Sequence, residues 1–193
     1  MNSRAVQIGA SAIAILGTLY LFRYSSSSNN FTMSKPEGTD VPGLEWKLSQ
    51  ISRNPPSLLV TLKNNSPSPY TILKWGTPLD AQASNTGVFK VVNADTGDNI
   101  PTEFIKVNRM MPPPREDLVT IAPGTEEATE VVFNSPWMPE KKPAKYMVRA
   151  EGAFTGIWGV YGDAVKDSDV ELYVDSPFNG RTFVSNEVEM YVD

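Results

Sequence analysis

From Leu44 onward, apolar and polar residues alternate with a period of two. Leu44, Trp46 and Leu48 share one side of an extended chain, and Leu58, Val60 and Leu62 do so again after Asn54-Pro55-Pro56. Successive side chains of a strand point to opposite faces, so this pattern predicts half-buried strands rather than helices. Asn64-Asn65-Ser66-Pro67-Ser68-Pro69 separates the second run from a third, Tyr70 to Trp75. The prolines in these gaps lack a backbone donor and cannot sit in a central ladder. Further strands are expected at Gly87 to Asn93, Thr102 to Val107, Leu118 to Ile121, Thr129 to Phe133, Ala144 to Glu151, Ile157 to Tyr161 and Val188 to Val192.

Turn chemistry supports the same reading. Asp95-Thr96-Gly97-Asp98 is a hairpin turn and Pro123-Gly124 another, because glycine accepts the positive φ such turns require. Many short strands joined by Gly- and Pro-bearing turns predict an all-β fold, two stacked sheets in an immunoglobulin-like sandwich. The chain has no cysteine, so Trp46, Trp75 or Trp158 is expected to fill the volume that a disulfide and its tryptophan occupy in antibody domains. Residues Gly162 to Val174 fit neither period.

The first part of the chain is different. Val6 to Phe22 carries no charge and is flanked by Arg4 and Arg23. It predicts a single hydrophobic helix, at the lower length limit for crossing a bilayer core of about 30 Å. We read residues 1–23 as a signal anchor, with a cleavable signal peptide as the rival reading; Leu21-Phe22-Arg23-Tyr24 offers no small-x-small cleavage site. Residues 24–43, including the Ser25 to Asn30 tract, form a linker, and the sandwich occupies 44–193. The domain is thereby expected to be membrane-anchored in the secretory pathway, or secreted. Translation from Met33 would instead give a cytosolic product.

Charge narrows the partners. Without the first 32 residues the chain keeps 15 basic and 22 acidic side chains, a net charge of −7. An acidic domain repels phosphate backbones, so nucleic acid is not an expected partner. The absence of histidine and cysteine excludes a Ser-His triad, a cysteine nucleophile, and zinc sites built on imidazole or thiolate. Asp163, Asp167, Asp169 and Glu171 do not match an EF-hand loop, and strand alternation would place the last three on one solvated face. Glu126 and Glu127 lie beside strand-like sequence, where charge discourages edge-to-edge pairing. No cofactor, metal or catalytic residue is expected.

Two proline-stiffened apolar segments, Met110-Met111-Pro112-Pro113-Pro114 and Ser135-Pro136-Trp137-Met138-Pro139, would lose little entropy on docking. Trp137 and Met138 are the candidate partner-binding residues; the competing reading is that Trp137 closes one end of the sandwich. Asn30-Phe31-Thr32 and Asn64-Asn65-Ser66 satisfy the N-glycosylation rule, which makes Asn30 and Asn64 candidate acceptors in a secretory compartment.

The order Leu73-Lys74-Trp75-Gly76-Thr77-Pro78-Leu79-Asp80, then Ile121-Ala122-Pro123-Gly124, then Tyr146-Met147-Val148-Arg149-Ala150-Glu151-Gly152 resembles the non-catalytic pro-region of the deuterolysin-like zinc metalloendopeptidases. The resemblance spans roughly Leu44 to Val192. The family's enzyme binds zinc through H-E-x-x-H, which a chain without histidine cannot supply. In that family the region assists folding of the protease and keeps it inactive. A separate copy is thereby expected to act on a metalloprotease in trans, as inhibitor or chaperone, without catalysis of its own. The alternative is a tethered or cytosolic interaction module of unrelated function.

The N-terminal reading has a direct check. Carbonate extraction should leave the full-length chain in the membrane fraction. Release of the full-length chain into the supernatant would refute anchoring, and a product starting at Met33 would establish the internal start.

Overall fold

A computed structural model describes residues 40–193, apart from 104, 141 and 143. The hydrophobic run at residues 1–23, the linker to residue 39 and Asn30 lie outside the described residues. Among those described, no helix is long and apolar enough to cross a membrane.

The domain is all-β. One sheet pairs β1 (Leu44–Arg53), β2 (Pro56–Asn64) and β7 (Glu126–Val132) in the order β1-β2-β7. The opposing sheet centres on β8 (Ala144–Ala153). It has β4 (Phe89–Asn93) and the short β5 (Asn99–Ile100) on one side, and β10 (Thr182–Val184) followed by β11 (Val188–Val192) also paired to β8. A third sheet joins β6 (Leu118–Ile121), β3 (Tyr70–Leu73) and β9 (Ile157–Trp158). The core follows the alternation read from the sequence. Leu48, Leu58, Val60 and Leu62 from one side meet Phe89, Val91, Tyr146, Val148 and Met190 from the other. Each large aliphatic or aromatic side chain sealed here contributes about 1.5–3 kcal/mol relative to exposure.

Trp46 occupies the expected place between the sheets. Its ring lies 5.4 Å from Phe183 and 6.5 Å from Phe154. Trp75 and Trp158 do not share that volume. They form a second cluster with Leu73, Val165 and Val170 on the opposite face of the β6-β3-β9 sheet. That sheet is covered on both sides, which is why every residue of β3 is buried.

Two expected elements take other forms. Thr102 to Val107 does not continue the β4–β5 ladder, which ends at Ile100. The Thr102 hydroxyl donates to the Phe89 carbonyl at 2.6 Å in its place. Asp167, Asp169 and Glu171 are not a strand face, since Asp167–Glu171 forms a short helix, α1. The acids gather there for a helical reason: Asp169 accepts the Lys166 N–H at 3.3 Å, and negative charge is favourable at a helix start.

Side-chain amides fasten β1 to the far sheet where no regular ladder forms. Leu48 N donates to Asn186 Oδ1 at 2.7 Å and Asn186 Nδ2 donates to Leu48 O at 3.1 Å. Gln50 repeats the arrangement with Tyr191, donating at 2.6 Å and accepting at 3.0 Å.

Asn64 does more. It ends β2 and is fully buried. Its Nδ2 donates to Ser68 O at 2.8 Å and Ile121 O at 3.0 Å, while Oδ1 accepts from the Ser66 N–H at 2.9 Å and hydroxyl at 2.7 Å. Its carbonyl accepts from Gly124 N at 2.8 Å, a turn in which Gly124 has φ +72°. This overturns the glycosylation reading of Asn64 for the folded domain, whose amide nitrogen is enclosed and fully engaged. Replacing Asn64 with Ala leaves the buried Ile121 carbonyl without that donor and is expected to lower the unfolding free energy by about 2–3 kcal/mol. Denaturant titration measures it, and a change under 0.5 kcal/mol would contradict the assignment.

Candidate functional site

The segment after β3 folds back on itself around a carboxylate. Lys74 O accepts the Thr77 N–H at 3.0 Å and the Thr77 hydroxyl at 2.7 Å. Asp80 is buried. Its Oδ2 accepts from Gly76 N at 3.1 Å and its Oδ1 from Gln82 N at 3.0 Å. The order Leu73 to Asp80 thus has a local physical cause: a short acid four residues past a positive-φ glycine collects the amides that a tight turn leaves unpaired.

Arg109 completes this arrangement from the loop that joins β5 to β6. Its guanidinium pairs with the Asp80 carboxylate and lies 5.4 Å from the centre of the Trp75 ring. Trp75 donates its indole N–H to Asp117 Oδ2 at 2.7 Å and meets Tyr173 edge-on at 5.7 Å. A half-buried arginine is therefore held by charge on one side and an aromatic face on the other. Two clefts flank it. One of about 440 Å³ runs from Lys74, Trp75 and Asp80 to Thr129, Glu130 and Val132 on β7. The other, of about 350 Å³, lies between Trp75, Ile105 and Tyr173. Both volumes fall in the range of about 300–1,000 Å³ found for ligand sites.

Asp80 spends its oxygens on two amides and Arg109, and Asp117 accepts an indole N–H. Among the described residues, no three side chains of the metal-ligating types gather as an ion site. Perturbed titrations lie elsewhere. Glu189 is held below the usual carboxylate range chiefly because Lys145 Nζ donates to it at 2.7 Å, assisted by the Tyr191 hydroxyl at 2.6 Å; the same contact raises Lys145. Burial raises the Tyr146 phenol. None of the three lines either cleft.

Of the two sequence readings of Trp137, closure of the sandwich is the one its contacts match. Trp137 is half-buried, its ring edge-on to Phe133 at 6.1 Å and its indole N–H donating to Asn85 Oδ1 at 3.0 Å. Met138 packs beside it against the core. They close the end of the sandwich instead of projecting from it, because Phe133 and Asn85 satisfy both the ring and its polar edge. The other apolar segment is the one on display: Met110 is 74% exposed and Met111 57%. Sequence reasoning singled out Leu73 to Asp80 and the Met110-Met111 words but did not join them through Arg109. No local pattern signals an ion pair between residues so far apart in the chain.

Comparison with known proteins gives two findings. A family model described as an immunoglobulin-like domain matches residues 43–192. An "Uncharacterized secreted protein" of Arthroderma benhamiae is 31% identical over 193 residues, which cover 97% of this chain and 92% of the relative.

Arg109→Ala removes the partner of a buried carboxylate. The expected loss is about 2–4 kcal/mol of stability, with faster amide exchange along residues 105–111. Wild-type exchange rates in that loop would show that Arg109 does not pin it.

Proposed function

We propose, from the premise that this chain belongs to an immunoglobulin-like domain family, that it is an exported, non-catalytic binding module. One observation carries the reading: Met110 and Met111 stand exposed on a loop whose neighbouring residue, Arg109, is fixed to Asp80 and Trp75. An apolar anchor held on a pinned segment loses little freedom when it docks, and methionine adapts its shape to a partner surface. Engagement of Asp80 and Asp117 in turn and indole contacts supports a role without catalysis. Export is supported by the uncharged run Val6 to Phe22 and by the description of the A. benhamiae relative as secreted.

The partner nominated by the resemblance of Leu73 to Asp80, Ile121 to Gly124 and Tyr146 to Gly152 is a deuterolysin-like metalloprotease, acted on in trans as inhibitor or folding chaperone. Titrating the purified domain into such a protease should give saturable binding without hydrolysis by the domain itself. Met110→Ala with Met111→Ala should weaken that binding by about 2 kcal/mol, the scale of an interface anchor, while Trp137→Ala acts mainly on stability. Failure to bind any protease of the family removes that partner, and zinc-independent peptide hydrolysis by the domain overturns the non-catalytic reading.

A further inference from the structure

β7 forms one wall of the larger cleft and ends its sheet, with the Leu79 to Ser84 loop across the cleft from it. Among the described residues β7 pairs on one side only, with β2, in the register Leu58 to Val131, Val60 to Thr129 and Leu62 to Glu127. The hydrogen-bonding parity of that ladder follows from its two ends. Phe133 N donates to Pro56 O at 2.8 Å and Asn64 N donates to Thr125 O at 3.0 Å. Bonded pairs recur at every second residue of an antiparallel ladder, so the odd-numbered residues of β7 spend their backbone groups on β2. Ala128, Glu130 and Val132 turn theirs the other way. No backbone partner exists for these three among the described residues, and Glu130 and Val132 line the cleft of about 440 Å³.

An exposed edge of this kind is a template for an added strand. Its charge selects the occupant. Within β7, Glu126, Glu127 and Glu130 are all exposed, no base is present, and none of the three forms an ion pair among the described residues. A second copy pairing antiparallel about Ala128 would set Glu126 of one chain against Glu130 of the other, twice, and like charges directly opposite are unfavourable. An extended segment carrying Lys or Arg at alternate positions meets the same acids with opposite charge.

We infer that the β7 edge is a strand-addition site for a basic extended segment of another protein, with main-chain bonds to Ala128, Glu130 and Val132 and charge contacts to Glu126 and Glu130. This rests on the reading of the domain as a binding module but not on a metalloprotease as its partner. The purified domain can therefore be tested with a short peptide alternating Lys and Thr, without any protease present.

Amide exchange gives the sharpest measurement. In the free domain Thr129 and Val131 should exchange slowly and Glu130 and Val132 quickly; saturating peptide should slow the latter two at least tenfold. Glu130→Pro removes an outward N–H and an acid while sparing the β2 ladder, since proline is tolerated on an edge whose N–H faces solvent. It should weaken binding at least tenfold with the fold retained. Glu126→Gln with Glu130→Gln, which keeps every N–H, should weaken it by a smaller factor that shrinks further in high salt. A proline-interrupted peptide of equal charge should not bind. Equal affinity for both peptides, no binding by the wild-type domain, or protection that instead follows self-association in sedimentation would each overturn the assignment.

Discussion

Two strands leave one sheet for another at the same corner of this domain, and the carboxamide of Asn64 holds both crossings. β2 passes to β3 through Asn65 to Pro69, and β6 passes to β7 through Ala122 to Thr125. The amide nitrogen reaches Ser68 in the first connection and Ile121 at the end of β6, while the backbone carbonyl takes the Gly124 N–H. A crossing exposes backbone groups that no ladder satisfies, and burying them unpaired costs about 1–3 kcal/mol each. One side chain with two donors and a two-lone-pair acceptor meets that demand at a single point. Gly43 is part of the same corner: Asn65 donates to its carbonyl at 2.7 Å, and a Cβ on Gly43 would lie 2.6 Å from the Ser66 Cβ.

The same logic recurs wherever regular pairing stops. Asn186 and Gln50 place carboxamides where β1 meets the far sheet, each replacing a donor and acceptor pair that a ladder would have supplied. Asp80 does so in the turn after β3, but as a charge, and a buried charge requires a counterion. Arg109 provides it. The Met110-Met111 display therefore depends on turn chemistry some thirty residues earlier, and the position of an exposed surface is set by a buried need.

The parts of this architecture legible in the sequence are those governed by local rules. Alternation located β1, β2, β6, β8 and β11, because a half-buried strand writes its burial into every second residue. The turns at Gly97 and Gly124 were legible from the positive φ they impose. What escaped was decided at a distance. Thr182 to Val184 is too short to show a period, and its pairing with Glu151 to Ala153 fixes it as a strand. Asn64 carried a sequon, but a motif of three residues cannot reveal that Ile121 takes its amide. Trp137 carried two readings, partner anchor and closure of the sandwich, and only its contacts with Phe133 and Asn85 separate them.

Glutamates on an edge strand are ordinarily understood as protection, since like charges stop two copies from joining their sheets. Protection and recognition are not separate properties of such an edge. Charge raises the free energy of self-pairing and lowers that of pairing with a basic strand by the same Coulomb interaction with its sign reversed, while the unpaired amides of β7 are indifferent to which chain satisfies them. The difference between the two outcomes lies wholly in the partner's side chains. An edge that was closed by proline, a bulge or a covering loop would exclude every strand alike. β7 is a regular seven-residue strand that faces the Leu79 to Ser84 loop across a cleft and carries carboxylates along its edge, and a barrier made of charge stays open to a partner of the opposite sign.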